Sequence, residues 1–134
     1  MKGLHIIADL YGCRKSEYLV SSAALRDLCV KACKDAGLTV LGDHFIQFDG
    51  VDGTQQGGST GAVVLAESHL AIHTWPERDG ATLDVYVCNF TSDNTGKAEA
   101  VYRSLYSALK PADALVERVT RGRDLPAKKR VANA

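Results

Sequence analysis

The stretch Thr82-Leu83-Asp84-Val85-Tyr86-Val87-Cys88 decides the fold. Leu83, Val85 and Val87 alternate with Thr82, Asp84, Tyr86 and Cys88, so apolar side chains recur at every second position. A period of two belongs to a β-strand, whose successive side chains point to opposite faces. This strand has one apolar face and one mixed face.

Working outward, Pro76-Glu77-Arg78-Asp79-Gly80 reads as the turn that feeds it, and Leu70–Trp75 and Ala62–Ala66 read as earlier strands. Leu4–Leu10, closed by Tyr11-Gly12, is a buried strand, and Val40 to Phe48 is another. Leu25, Leu28, Cys29, Ala32 and Ala36 repeat at helical spacing after a cap at Ser21 or Ser22, and Gly37 suits a left-handed helix end. A second helix starts at Asp93 or Asn94, carries Ala98, Val101, Tyr102, Leu105 and Ala108 on one face, and stops before Pro111. Ala114–Val119 supplies a last strand, with a charged tail expected from Arg121. Asp49 to Gly58 is expected to be an exposed glycine-rich loop. The order predicts an α+β fold, an antiparallel sheet with helices on one face, built as a single domain over residues 1–134.

Composition narrows the function. The 134 residues carry 16 Lys plus Arg against 16 Asp plus Glu, so the charge that drives nucleic-acid binding by counterion release is missing. With 46% hydrophobic and 24% charged residues, wholesale disorder is excluded. No stretch approaches the roughly 20 apolar residues of a membrane span. His5 and Asp9 break the N-terminal apolar run, so no secretory signal is expected and the cytoplasm is the default setting. The four cysteines form no C-x-x-C pair and suit reduced thiols.

Four groups of residues could carry chemistry. Gly57-Gly58-Ser59-Thr60-Gly61 has the G-x-S-x-G spacing, but that motif needs a strand before it and a helix after it. Here a glycine-rich segment precedes and a strand follows, so the stretch is read as a loop. His69 and His73 would share a metal on a helix, yet on a strand they stand about 13 Å apart, and no metal site is expected. Cys29 and Cys33 read as core filling, whereas Cys88 lies on the mixed face at a strand end, where structural and functional roles are both open. Finally, Glu67-Ser68-His69-Leu70-Ala71-Ile72-His73-Thr74-Trp75-Pro76-Glu77 crowds a serine and two histidines between apolar strand segments. Polar groups in such a place are costly unless paired, so a serine working with a histidine is the chemistry to look for.

That segment resembles the cleavage site of the bacterial and archaeal S-adenosylmethionine decarboxylases, pyruvoyl-dependent enzymes of polyamine synthesis. Glu-Ser-His followed by Ile-His-Thr-Trp-Pro-Glu stands unbroken from Glu67 to Glu77. The resemblance extends to Asp9-Leu10-Tyr11-Gly12-Cys13, to the strand ending at Cys88 and to Arg121-Gly122. It implies a two-layer α/β sandwich that cuts itself between Glu67 and Ser68 into fragments 1–67 and 68–134. Ser68 would be the nucleophile and the source of the pyruvoyl cofactor, and His73 the base that completes processing. The pyruvoyl carbonyl would form a Schiff base with S-adenosylmethionine, Cys88 would return the proton after carbon dioxide leaves, and Phe48, Trp75 and Glu77 would hold the nucleoside. The product would feed spermidine synthesis. A homodimer with active sites at the subunit interface is implied too.

Some positions depart from the family pattern. Thr60 replaces a serine that assists processing, Asn89 replaces a glycine, and the connection from Phe48 to Thr60 is longer than usual. A threonine hydroxyl can make the serine's hydrogen bond. Asp49 and Asp52 in the longer connection keep a pyruvoyl-dependent arginine or ornithine decarboxylase as an alternative, and a processing-dead regulatory homologue is a third reading.

Overall fold

The computed structural model describes residues 2–50, 56–90 and 92–126. Among them six strands form one sheet: β1 (Gly3–Tyr11), β2 (Val40–Asp49), β3 (Gln56–Leu65), β4 (Ser68–Trp75), β5 (Gly80–Cys88) and β6 (Asp113–Arg121). Their order is β2-β3-β4-β5-β1-β6, and every neighbouring pair is antiparallel. Helices α1 (Glu17–Val20), α2 (Ser22–Asp35) and α3 (Thr95–Leu109) complete the chain. The α+β fold expected from the order of the elements is present, as the two-layer sandwich that the resemblance implies.

The alternation of β5 sets the layers. Leu83, Val85 and Val87 are buried, as are Ile6, Ala8 and Leu10 of β1 and Leu70 and Ile72 of β4. Against this face pack α2 through Leu25, Cys29 and Cys33, and α3 through Val101, Leu105 and Leu109. The Ser21 hydroxyl accepts the Ala24 N–H at 3.2 Å and caps α2. Gly37, at φ +88°, lets the chain leave that helix where a side chain would be strained. Burial pushes the Cys29 and Cys33 thiols up, as core filling requires.

Among the described residues the other face carries no helix. Register places His5 beside Tyr86, Ile7 beside Asp84 and His69 beside Tyr86 on it. Ile7, Ile46, Val64, Leu115 and Val119 belong to the same face and are exposed.

Two expectations are corrected, and one unforeseen helix is added. The segment Gly57–Gly61 is not a loop: β3 begins at Gln56, and Gly57, Gly58 and Ser59 are buried. A Cβ at Gly57 would run into the Asp49 carbonyl and one at Gly58 into the Thr74 carbonyl, so these glycines serve close backbone approach rather than a turn. Arg121 is not the start of a tail but the last residue of β6, with its guanidinium 4.3 Å from the centre of the Tyr86 ring. The one-turn helix α1 was too short to show a period, yet it buries Leu19. Asp49 ends β2, and Asp52 lies outside the described residues.

Candidate active site

The strands β3 and β4 join through Ala66 and Glu67 alone, since Leu65 pairs with Ser68. Two-residue hairpins usually take turns with positive φ inside the loop, which match the twist of the strands. Here neither Ala66 nor Glu67 has positive φ; Ser68 carries it instead, at +146°. A side chain rarely adopts that conformation, so backbone strain sits at the Glu67–Ser68 junction.

The surroundings hold the junction in place. The Glu67 carbonyl accepts the Cys88 N–H at 2.8 Å, and the Ala66 N–H donates to the Thr39 carbonyl at 3.0 Å. The Glu67 carboxylate accepts both the N–H and the hydroxyl of Thr39, each at 3.0 Å. Burial works against the charge on Glu67, but these bonds outweigh it and hold its carboxyl below the usual range. Cys88 is a free, half-buried thiol beside this turn.

The far end of β4 is built differently. His73 faces Thr60 across the β3–β4 pairing, with Thr60 Oγ1 and His73 Nδ1 3.1 Å apart. The threonine thus presents its hydroxyl to the His73 ring. Between His73 and Trp75, the buried Thr74 hydroxyl donates to the Leu19 carbonyl at 3.0 Å and accepts the Ser59 N–H at 2.9 Å. This bond fixes β3 against β4 and gives α1 its role. A cavity of ≈ 220 Å³ opens here, lined by Phe48, Thr60, His73, Trp75 and Glu77 among others. Trp75 and Glu77 also line a larger cavity of ≈ 600 Å³ that reaches Asp9, Tyr11 and Arg78. The Trp75 ring is tilted against His73 with centroids 6.0 Å apart.

The structure thus sorts the expected site residues into two clusters. Glu67, Ser68 and Cys88 gather at one end of β4; Thr60, His73, Phe48, Trp75 and Glu77 gather at the other. Ser68 and His73 are five steps apart along the strand, a span of about 16 Å. Within one chain the expected nucleophile and its expected base do not meet.

Sequence reasoning missed Thr39, whose grip on Glu67 joins residues 28 apart and leaves no periodic trace. It also missed the group formed by His5, Asp84, Tyr86 and Arg121 on the open face. There His5 Nε2 lies 3.3 Å from Asp84, and Arg121 reaches both His5 and the Tyr86 ring. Burial, helped by nearby His5, holds the His69 imidazole below its usual range.

Comparison with known proteins points one way. Residues 4–122 match the family described as S-adenosylmethionine decarboxylase. An S-adenosylmethionine decarboxylase proenzyme of Aquifex aeolicus is 48% identical over 86 residues, 64% of this chain and 58% of that protein. One from Hydrogenobaculum sp. is 40% identical over 103 residues, 77% of this chain and 72% of its own. One from Picrophilus torridus is 35% identical over 120 residues, covering 90% and 84%. The crystal structure of the adenosylmethionine decarboxylase from Aquifex aeolicus superposes with a TM-score of 0.72 at 34% identity, over 96% of both chains. The chain, an α+β sandwich with an unbroken Glu67–Glu77 segment on its β3–β4 hairpin, belongs to the S-adenosylmethionine decarboxylase family of enzymes.

Proposed function

We propose that this protein is a proenzyme that cuts itself between Glu67 and Ser68 and then decarboxylates S-adenosylmethionine, giving the aminopropyl donor for spermidine synthesis. The observation that carries the reading is the strained Glu67–Ser68 junction with the Cys88 N–H on its carbonyl. The Ser68 hydroxyl attacks that carbonyl carbon, the peptide C–N bond breaks, and the nitrogen takes up a proton, leaving an ester. Negative charge develops on the Glu67 oxygen during the attack, where the Cys88 N–H already donates. A base then removes the Ser68 α-proton, the Ser68 Cβ–Oγ bond breaks, and the main-chain carboxylate of Glu67 departs. Hydrolysis of the resulting dehydroalanine releases ammonia and leaves a pyruvoyl group on fragment 68–134.

His73 is the base in this reading, held by Thr60 and facing a cavity. Because it stands about 16 Å along the strand from its own Ser68, the base for each Ser68 comes from a second copy. Two chains meeting by their open sheet faces, with β4 strands running oppositely, bring each His73 end over the partner's Ser68 end. The exposed Ile7, Ile46, Val64, Leu115 and Val119 are the apolar surface such a homodimer would cover. The pyruvoyl group supplies an electron-withdrawing carbonyl for the substrate amine. Trp75 and Phe48 offer aromatic faces to the adenine and sulfonium, Glu77 accepts from the ribose hydroxyls, and Cys88 returns a proton to the α-carbon. Four free thiols and a small polar substrate suit the cytoplasm.

Mass spectrometry of the purified protein, followed by a carbon dioxide release assay with S-adenosylmethionine, arginine and ornithine in parallel, tests the proposal. Two fragments of 67 residues each and release from S-adenosylmethionine are expected. An intact chain, or release from an amino acid alone, overturns it.

A further inference from the structure

We infer that Thr39 is a positioning residue for self-cleavage: by gripping the Glu67 side chain it keeps the Glu67–Ser68 peptide in its strained, attack-ready conformation. The inference rests on the cleavage reading above and names a residue outside the processing set.

Thr39 lies in the connection between α2 and β2, across from the β3–β4 turn. It makes three hydrogen bonds to the two residues of that turn. Its N–H and hydroxyl each reach one oxygen of the Glu67 carboxylate at 3.0 Å. Its carbonyl accepts the Ala66 N–H at 3.0 Å. Together with the Cys88 N–H on the Glu67 carbonyl, they tie down both the side chain and the main chain of Glu67. Ser68, the next residue, has φ +146°, although the tight turn before it has no positive φ of its own. An L-residue left free would relax from that conformation. Relaxation at Ser68 moves its hydroxyl relative to the Glu67 carbonyl, and attack depends on that alignment. The grip therefore acts through Glu67 on the geometry of the bond that breaks, and cleavage releases the strain.

Thr39 touches neither Ser68 nor any residue of the His73 end in the described bonds. Its hydroxyl can thus be removed without altering the reacting groups. Thr39→Val keeps the shape and the backbone bonds but loses the hydroxyl bond, and Thr39→Ser restores it. Glu67→Ala removes the gripped side chain altogether.

The test follows cleavage over time after cell-free synthesis, by gel and mass, for the full-length chain and these variants. Thr39→Val is expected to cleave about tenfold more slowly, the low end for one hydrogen bond to a charged group. Thr39→Ser should cleave at the parent rate. In the Glu67→Ala background, which is itself slow, Thr39→Val should add no further slowing, because the two residues act as one unit. Melting curves on the uncleavable Ser68→Ala background separate folding from positioning. The inference is overturned if Thr39→Val cleaves at the parent rate, if Thr39→Ser is as slow as Thr39→Val, or if Thr39→Val slows Glu67→Ala by the same factor as it slows the parent. A parent chain that stays intact overturns the cleavage reading itself, and this inference with it.

Discussion

The two ends of β4 solve different problems with different means. At the Ser68 end the backbone does the preparing: a tight turn, a φ of +146°, and donors and acceptors that hold one peptide still. At the His73 end the strand is regular, and side chains do the preparing through Thr60, Thr74 and a cavity walled by aromatics. A strained peptide can be cut only once, whereas an open cavity with fixed side chains can receive a molecule repeatedly. The first end suits self-cleavage and the second suits a substrate. Their separation along one strand is the ground for the proposed two-chain site.

The largest effect expected is at the Ser68 end. Ser68→Ala removes the nucleophile and should leave a single intact chain with no decarboxylation, read by mass and by carbon dioxide release. Normal cleavage in that variant would break the division of labour at its root.

Mixing chains breaks or sharpens the comparison next. Ser68→Ala and His73→Ala should each fail to mature alone. Coexpressed, they can form a dimer in which the His73→Ala chain offers its Ser68 to the intact His73 of its partner. Fragments should then appear from the His73→Ala chain only, and activity should rise from background to a substantial fraction of the parent. Absence of cleavage in a verified mixed dimer would place the base on the same chain and refute the two-chain site.

The alternation from Thr82 to Cys88 made the sheet and its two faces readable, because a period of two has one structural meaning. Glycine has two, and that is why Gly57–Gly61 reads as a loop while it lies buried in β3. Only the neighbouring Asp49 and Thr74 carbonyls reveal that close approach was the reason. The Glu67–Glu77 segment pointed to most of the candidate site residues, but not to their arrangement. The strand arithmetic that keeps His69 and His73 from sharing a metal also keeps Ser68 from its own His73. Thr39 was illegible because hydrogen bonds between residues 28 apart leave no local pattern.

Cys88 tests whether the Ser68 end has a second life after cleavage. Its N–H, which bonds the Glu67 carbonyl, survives replacement by alanine, so Cys88→Ala should still mature. Turnover by the processed variant should fall by about 10²-fold, as expected for loss of a positioned general acid. Near-normal turnover would confine that end to processing and return Cys88 to a packing role.

The smallest expected effect sharpens the comparison most. Trp75 belongs to the His73 end and lines both cavities, so Trp75→Ala should weaken binding by about 2 kcal/mol, the scale of lost stacking and cation–π contact. That is roughly a thirtyfold rise in KM for S-adenosylmethionine. In the mixed dimer the substitution can be placed on either chain. On the Ser68→Ala chain it sits in the one competent site, next to the working His73, and KM should rise in full. On the His73→Ala chain it sits in the site that never matures, and KM should stay at the parent value. The reverse pattern, a full rise only from the His73→Ala chain, would mean that Trp75 serves the Ser68 of its own chain, and the boundary between the two ends would have to be redrawn on the near side of that residue.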